Sequence, residues 1–183
     1  MALVGLSCLA APAWGGERVE IGQRAPRFVL PVLKGKQQMR SSEVFGAMPL
    51  TMLIFWDSNC PDCLQALLRC RDFAPRADSM GVRMLSINFD QGFMAPVRAF
   101  VKEERLPFPV LWDAHQLVVR AYRAEGYSFS LFLVDRQETV RYAHYDHPPD
   151  VLAELTQQVD AVLAQIRSSA DEDISSSRPT ETY

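Results

Sequence analysis

Leu50-Thr51-Met52-Leu53-Ile54-Phe55-Trp56 runs without a charge into Asp57-Ser58-Asn59, then into Cys60-Pro61-Asp62-Cys63 and Leu64-Gln65-Ala66-Leu67-Leu68. The apolar run reads as a strand buried on both faces, and the residues after the cysteines read as the opening of a helix. A strand that ends in a short loop and delivers two thiols to a helix N-terminus is a thiol-disulfide exchange arrangement. Residues three apart in a helical first turn lie about 5–6 Å apart, inside the Cα separation that a disulfide requires. The unpaired N–H groups and positive dipole end of the helix favour a thiolate over a thiol. Cys60 is therefore the expected nucleophile, and Cys63, a turn deeper, the thiol that resolves the mixed disulfide. A single CxxC is also half of a zinc site. No second CxxC follows and the histidines are scattered, so no metal is expected.

Outward from this stretch, strand and helix periodicities alternate. Val82 to Phe89 reads as a buried strand, and Pro96 to Glu104 as a helix with Val97, Phe100 and Val101 on one face and Pro96 in its first turn. Leu106 to Trp112, broken by Pro107 and Pro109, is at most an edge strand. A short helix around Leu117, Val118 and Tyr122 precedes two strands, Ser130 to Val134 and Thr139 to Tyr145, joined by a turn at Asp135 to Glu138. Asp150 then caps a helix striped by Val151, Leu152, Leu155, Val159, Val162 and Ile166. This order predicts an α/β fold in which a mixed central sheet is covered by helices on both faces.

The 183 residues are 48% hydrophobic and 22% charged, the composition of one globular domain. A domain of this size buries roughly 70% of its unfolded surface and needs no disulfide or metal to hold it, which leaves the cysteines free for chemistry. With a net charge of −3 and no basic stripe, nucleic acid is not an expected partner. Residues 1–16 read as a signal peptide or a disordered N-terminus. Ala11-Pro12-Ala13 fits a signal-peptidase site, but no basic residue precedes Arg18. The apolar part is too short to cross a bilayer, so no stable transmembrane segment is expected. Residues 17–167 form the domain, and 168–183, rich in Ser and acidic residues, read as a disordered tail.

With the CxxC in this setting the chain resembles the TlpA/ResA-like branch of the thioredoxin superfamily, over about Ile21 to Ile166. Ile21-Gly22-Gln23-Arg24-Ala25-Pro26-Arg27-Phe28-Val29-Leu30 is similar to that family's N-terminal signature, and Phe55-Trp56 with Cys60-Pro61-Asp62-Cys63 to its active-site pattern. Asn88-Phe89-Asp90 falls where its second core strand ends, and Phe132-Leu133-Val134-Asp135 resembles its "F-L-I-D" strand. The resemblance implies a thioredoxin-like fold, no organic cofactor, protein thiol or disulfide substrates and an upstream thiol reductant. It also implies an extracytoplasmic, periplasm-like setting and reductive duties such as the upkeep of apocytochrome or metalloprotein thiols.

The chain departs from the pattern around the site. Asn59 stands where the family has Trp and is a good helix cap. Ala66 replaces the Glu that follows the second Cys by three residues, and Ile54 stands where thioredoxins proper bury an Asp. Asp57 and Asp62 are candidates to carry protons in their place, or solvated carboxylates that help cap the helix. Phe129 occupies the position of the family's cis-Pro. A cis bond before a non-proline costs about 2.5–4 kcal/mol, so Ser128-Phe129 is expected to be trans, in a groove formed with Trp56, Asn59 and Pro61. Cys70, seven residues beyond Cys63, reads as a buried core thiol with intermolecular pairing as the alternative. Two readings stay open: a thiol-disulfide oxidoreductase that reduces protein disulfides, and a thioredoxin-like partner-binding module with diminished exchange.

Overall fold

The computed structural model describes residues 18–146 and 151–176, with side chains of the last helix described over 153–169. The strand expected around Leu50 is β3 (Leu50–Trp56), and every one of its residues is buried. It lies at the centre of a five-stranded sheet of order β5-β4-β3-β6-β7. β4 (Val82–Asn88) and β5 (Val110–Trp112) run parallel to β3. β6 (Phe129–Asp135) and β7 (Val140–Tyr145) close the other side antiparallel. A smaller antiparallel pair, β1 (Val29–Pro31) and β2 (Gln38–Arg40), leads into α1 (Ser41–Phe45).

Alternation along the strands sorts the core into two layers. From β3, Leu50, Met52, Ile54 and Trp56 face one layer, which is completed by α2 (Pro61–Ser79), α3 (Ala95–Glu103) and α5 (Val151–Ser176). Leu53 and Phe55 face the other, built with α1, α4 (Leu117–Ala121) and the N-terminal segment through Val19, Ala25 and Phe28. The mixed sheet with helices on both faces is the architecture expected from the sequence.

Local chemistry explains the joins. The buried Asp113 carboxylate accepts from the amides of Leu117, Val118 and Val119 at 2.8–3.0 Å and so caps α4. Asp135, also buried, accepts from Gln137 N–H, Thr139 N–H and Arg141 Nε and ties the β6–β7 turn together. Glu138 in that turn bonds both Arg24 and Arg27, latching the N-terminal segment onto the sheet edge. The hydrogen bond from Arg27, aided by Arg24, holds the Glu138 carboxyl below its ordinary value.

α5 continues through Ser176, past the Ser168 boundary expected for the tail. Its Leu155, Val159 and Val162 pack in the core as the stripe predicts. Asp150, the expected signal segment and residues 177–183 lie outside the described residues.

Candidate active site

The site grows from the end of β3. Trp56 is flanked by Asn88 of β4 and Phe129 of β6. Immediately beyond it, Asp57 N–H donates to the Ser128 carbonyl at 3.0 Å, while Phe89 N–H donates to the Trp56 carbonyl at 3.4 Å. The loop carrying the cysteines is thus pinned between its two neighbours before it turns into α2.

The turn is made by side chains. Asp57 Oδ1 accepts from Asn59 N–H at 2.7 Å and from Asn59 Nδ2 at 2.9 Å, a local turn typical of Asp. Ser58 N–H donates to Asp90 Oδ1 at 3.0 Å, and its hydroxyl donates to the other oxygen of the same carboxylate. Asp90 is itself fixed, its carbonyl accepting from Trp112 Nε1 at 3.0 Å and its N–H donating to Asn88 Oδ1 at 3.3 Å. Burial raises the Asp90 carboxyl above its ordinary value; the Ser58 hydrogen bonds oppose this, and the neighbouring Asp57 carboxyl adds to it.

The helix starts on Cys60. Its backbone is extended at φ −109° and ψ 104°, Pro61 occupies the first helical turn, and Cys60 Sγ accepts from Cys63 N–H at 3.2 Å. The sulfur itself therefore fills the capping role expected of Asn59, whose side chain turns back to Asp57. A group that accepts an amide hydrogen bond at a positive helix end is better served by negative charge, which suits a thiolate once the pair is reduced.

Cys60 and Cys63 are joined by a disulfide with a Cα separation of 5.2 Å, within the range expected from their spacing. Cys63 is fully buried, whereas Cys60 is partly exposed. A partner sulfur can reach Cys60 first, and Cys63 is screened behind it.

Asp62 lies exposed in the first turn of α2. Asn59 and Pro61 are exposed and Ser128 is half-buried. Two groove expectations are corrected. Trp56 and Phe129 are both 0% exposed and belong to the core layer beneath α2, because the strand register turns their rings inward. They support the loop from below and present no surface to a partner. The described residues contain no cis peptide bond.

Cys70 is also fully buried, in the apolar interior of α2 with Leu67 and Phe73, and desolvation pushes its thiol up to about 12. Among the described residues no cluster of His, Cys, Asp or Glu is arranged to hold a metal ion.

Ser58 and Asp90 were not singled out as site residues from the sequence. A signal existed: Asp90 follows the carboxyl end of the strand paired in parallel with β3, the end of an α/β sheet where sites gather.

Known proteins share both fold and motif. The AhpC/TSA family model matches residues 21–143. Thiol-disulfide oxidoreductase ResA of Bacillus thuringiensis subsp. konkukian is 30% identical over 125 residues, covering 68% of this chain and 69% of that protein. ResA of Geobacillus kaustophilus is 30% identical over 123 residues, covering 67% and 68%. Among solved structures, a DsbE-like thiol:disulfide interchange protein from Chlorobium tepidum superposes with a TM-score of 0.70 at 26% identity, covering 79% of this chain and 99% of its own. With a disulfide-forming CxxC at the head of α2, a thioredoxin-like sheet behind it and these relatives, the chain belongs to the AhpC/TSA family, as a thiol-disulfide oxidoreductase of the ResA-like kind.

Proposed function

We propose that this protein reduces protein disulfides. The reduced Cys60 thiolate attacks one sulfur of a substrate disulfide, forming a mixed disulfide and releasing the first substrate thiolate. Cys63 then attacks Cys60 Sγ, closing the Cys60–Cys63 bond and releasing the second substrate thiol. Two electrons have passed to the substrate, and an upstream thiol reductant returns the pair to its dithiol form.

The observation that carries this reading is the asymmetry of the pair: a partly exposed sulfur capping a helix, with a fully buried sulfur bonded behind it. The reducing direction rests on charge. Asp57, Asp62 and Asp90 surround the loop, and Thr51 to Leu68 contains no Lys, Arg or His. Carboxylates disfavour a thiolate beside them, which opposes the helix end and favours the closed disulfide over the dithiol.

In this reading Asp57, which accepts from Asn59 and lies beside Asp90, carries the proton to the departing thiolate, with Asp62 as the exposed alternative. Asn59, Pro61 and Ser128 guide the substrate chain. An extracytoplasmic location is part of the proposal, supported by the Ala11-Pro12-Ala13 pattern. No helix among the described residues is long and apolar enough to cross a membrane.

The second reading, a partner-binding module with diminished exchange, draws on Phe129 at the family's proline position. Reduction of insulin in the presence of dithiothreitol separates the two, since a binding module produces no turnover above background. Equilibration against glutathione tests the direction: a reducing pair stays oxidised in buffers where glutathione is mostly reduced, and a potential above that of glutathione overturns the charge argument.

A further inference from the structure

With Trp56 and Phe129 buried, apolar contact at the CxxC end has to come from elsewhere, and one large side chain there is conspicuously bare. Phe93 is 83% exposed. It stands on the β4–α3 loop, which leaves the sheet at the same end as the CxxC loop because β3 and β4 are parallel and pair Trp56 with Asn88.

The loop is held at both ends. At its start, Phe89 N–H bonds the Trp56 carbonyl and Asp90 bonds Ser58, two residues before Cys60. At its end, Met94 is buried at 5% exposure, and Phe100 on α3 packs against the Trp56 ring at 5.9 Å. Gly92 between them has φ +86°, a left-handed turn that glycine makes without strain. Phe93 is three residues from Asp90, at most about 10 Å of chain. The protein thus presents a bare aromatic ring on an anchored loop at the CxxC end of the sheet, and little ordering is needed to use it.

We propose that Phe93 binds an apolar side chain next to the target cysteine of a polypeptide substrate, so that polypeptide disulfides with such a neighbour are preferred to polar or small ones. The occupant is an extended segment of the substrate because the loop that carries the ring is bonded, through Asp90 and Ser58, to the loop that carries the one sulfur a substrate disulfide has to reach. Covering a Phe of this size is worth about tenfold or more in affinity. The proposal rests on the exchange reading of Cys60 and Cys63 made above.

The test uses two synthetic disulfide-bridged peptides that differ only in Leu or Ser beside one cysteine, and glutathione disulfide as a small reference. For the full chain, kcat/KM is expected to favour the Leu peptide over the Ser peptide by about fivefold or more. Phe93→Ser should erase most of that ratio and Phe93→Trp should keep it. An unchanged ratio in Phe93→Ser, or no preference in the natural chain, overturns the proposal while turnover of glutathione disulfide leaves the exchange reading standing. Turnover of none of the three substrates removes both. If light scattering shows that the natural chain self-associates and Phe93→Ser releases monomer, the ring serves a second copy of the chain and the substrate role fails.

Discussion

Cys63 and Cys70 lie on the same helix and both are completely buried, yet one forms a disulfide and the other is held as a neutral thiol. Burial alone therefore does not make a cysteine inert. Cys63 has a sulfur within reach at a helix end, and that sulfur caps the helix by accepting from the amide of Cys63 itself. Cys70 lies seven residues on, about 10 Å along the axis, too far to be bridged to either. It lies within the apolar core layer, and desolvation does the rest. The first turn of α2 is built for charge to appear and vanish; the buried face of its middle excludes charge.

The sharpest way to break this contrast is to remove the capping sulfur. Cys60→Ser should lower disulfide turnover by about 10³-fold or more, because the nucleophile is lost, with little change in the far-UV spectrum. Residual turnover carried by Cys63 or Cys70 would erase the distinction.

Beneath the first turn, Phe129→Ala should cost about 3–5 kcal/mol in urea unfolding, as for other buried aromatics. A cost below about 1 kcal/mol would return Phe129 to the substrate groove. In the middle of the helix, Cys70→Ser should cost about 1–3 kcal/mol for an added buried hydroxyl and leave turnover within twofold. A large loss of turnover at unchanged stability would make Cys70 part of the chemistry.

Alkaline pH isolates Cys70 further. Its thiol ionises near 9 when unfolded and only at about 12 in the fold, so the unfolded chain binds fewer protons across that interval. Its contribution to stability is complete below about pH 9 and falls by about 1.4 kcal/mol per pH unit above it. Cys70→Ala should show a correspondingly shallower alkaline slope; identical slopes would contradict the burial argument.

The smallest effect belongs to a latch remote from both thiols. Glu138→Gln should cost less than about 1 kcal/mol at neutral pH, since Arg24 and Arg27 are largely exposed. Because the Glu138 carboxyl titrates below its ordinary value, this stability is present above the ordinary carboxylate range and lost as pH falls through the depressed value. A urea series from pH 7 to pH 3 should bring mutant and natural chain together.

Much of this was legible in the sequence where long-range order follows from a strong local pattern. The unbroken run at Leu50 matches β3 in both boundaries, since a strand buried on both faces leaves no ambiguity of face. Val82, Pro96 and Leu117 each marked an element within a residue or two. β1 and β2 were missed because each is three residues long. They exist through pairing with each other and through Leu30 packing on the sheet, which no local periodicity encodes.

At the site, the cysteine pair was readable from spacing. The Ser58–Asp90 clamp was not, because it joins residues thirty-two apart through strand order. Trp56 and Phe129 were misplaced for a related reason: side-chain direction at a strand end depends on register, and a resemblance aligns positions without saying which way they face.

One feature of α2 has a bearing on how oxidation and folding communicate. The Cys60–Cys63 bridge spans a separation of only three residues, and so tiny a ring removes little freedom from the unfolded chain. Loop-closure entropy assigns it about 2 kcal/mol, against nearly 5 for a hundred-residue loop. Opening the bridge therefore withdraws only a modest part of the stability of a domain whose core is assembled from two separate layers. Electrons can come and go at the tip of one helix while the architecture behind it stays folded.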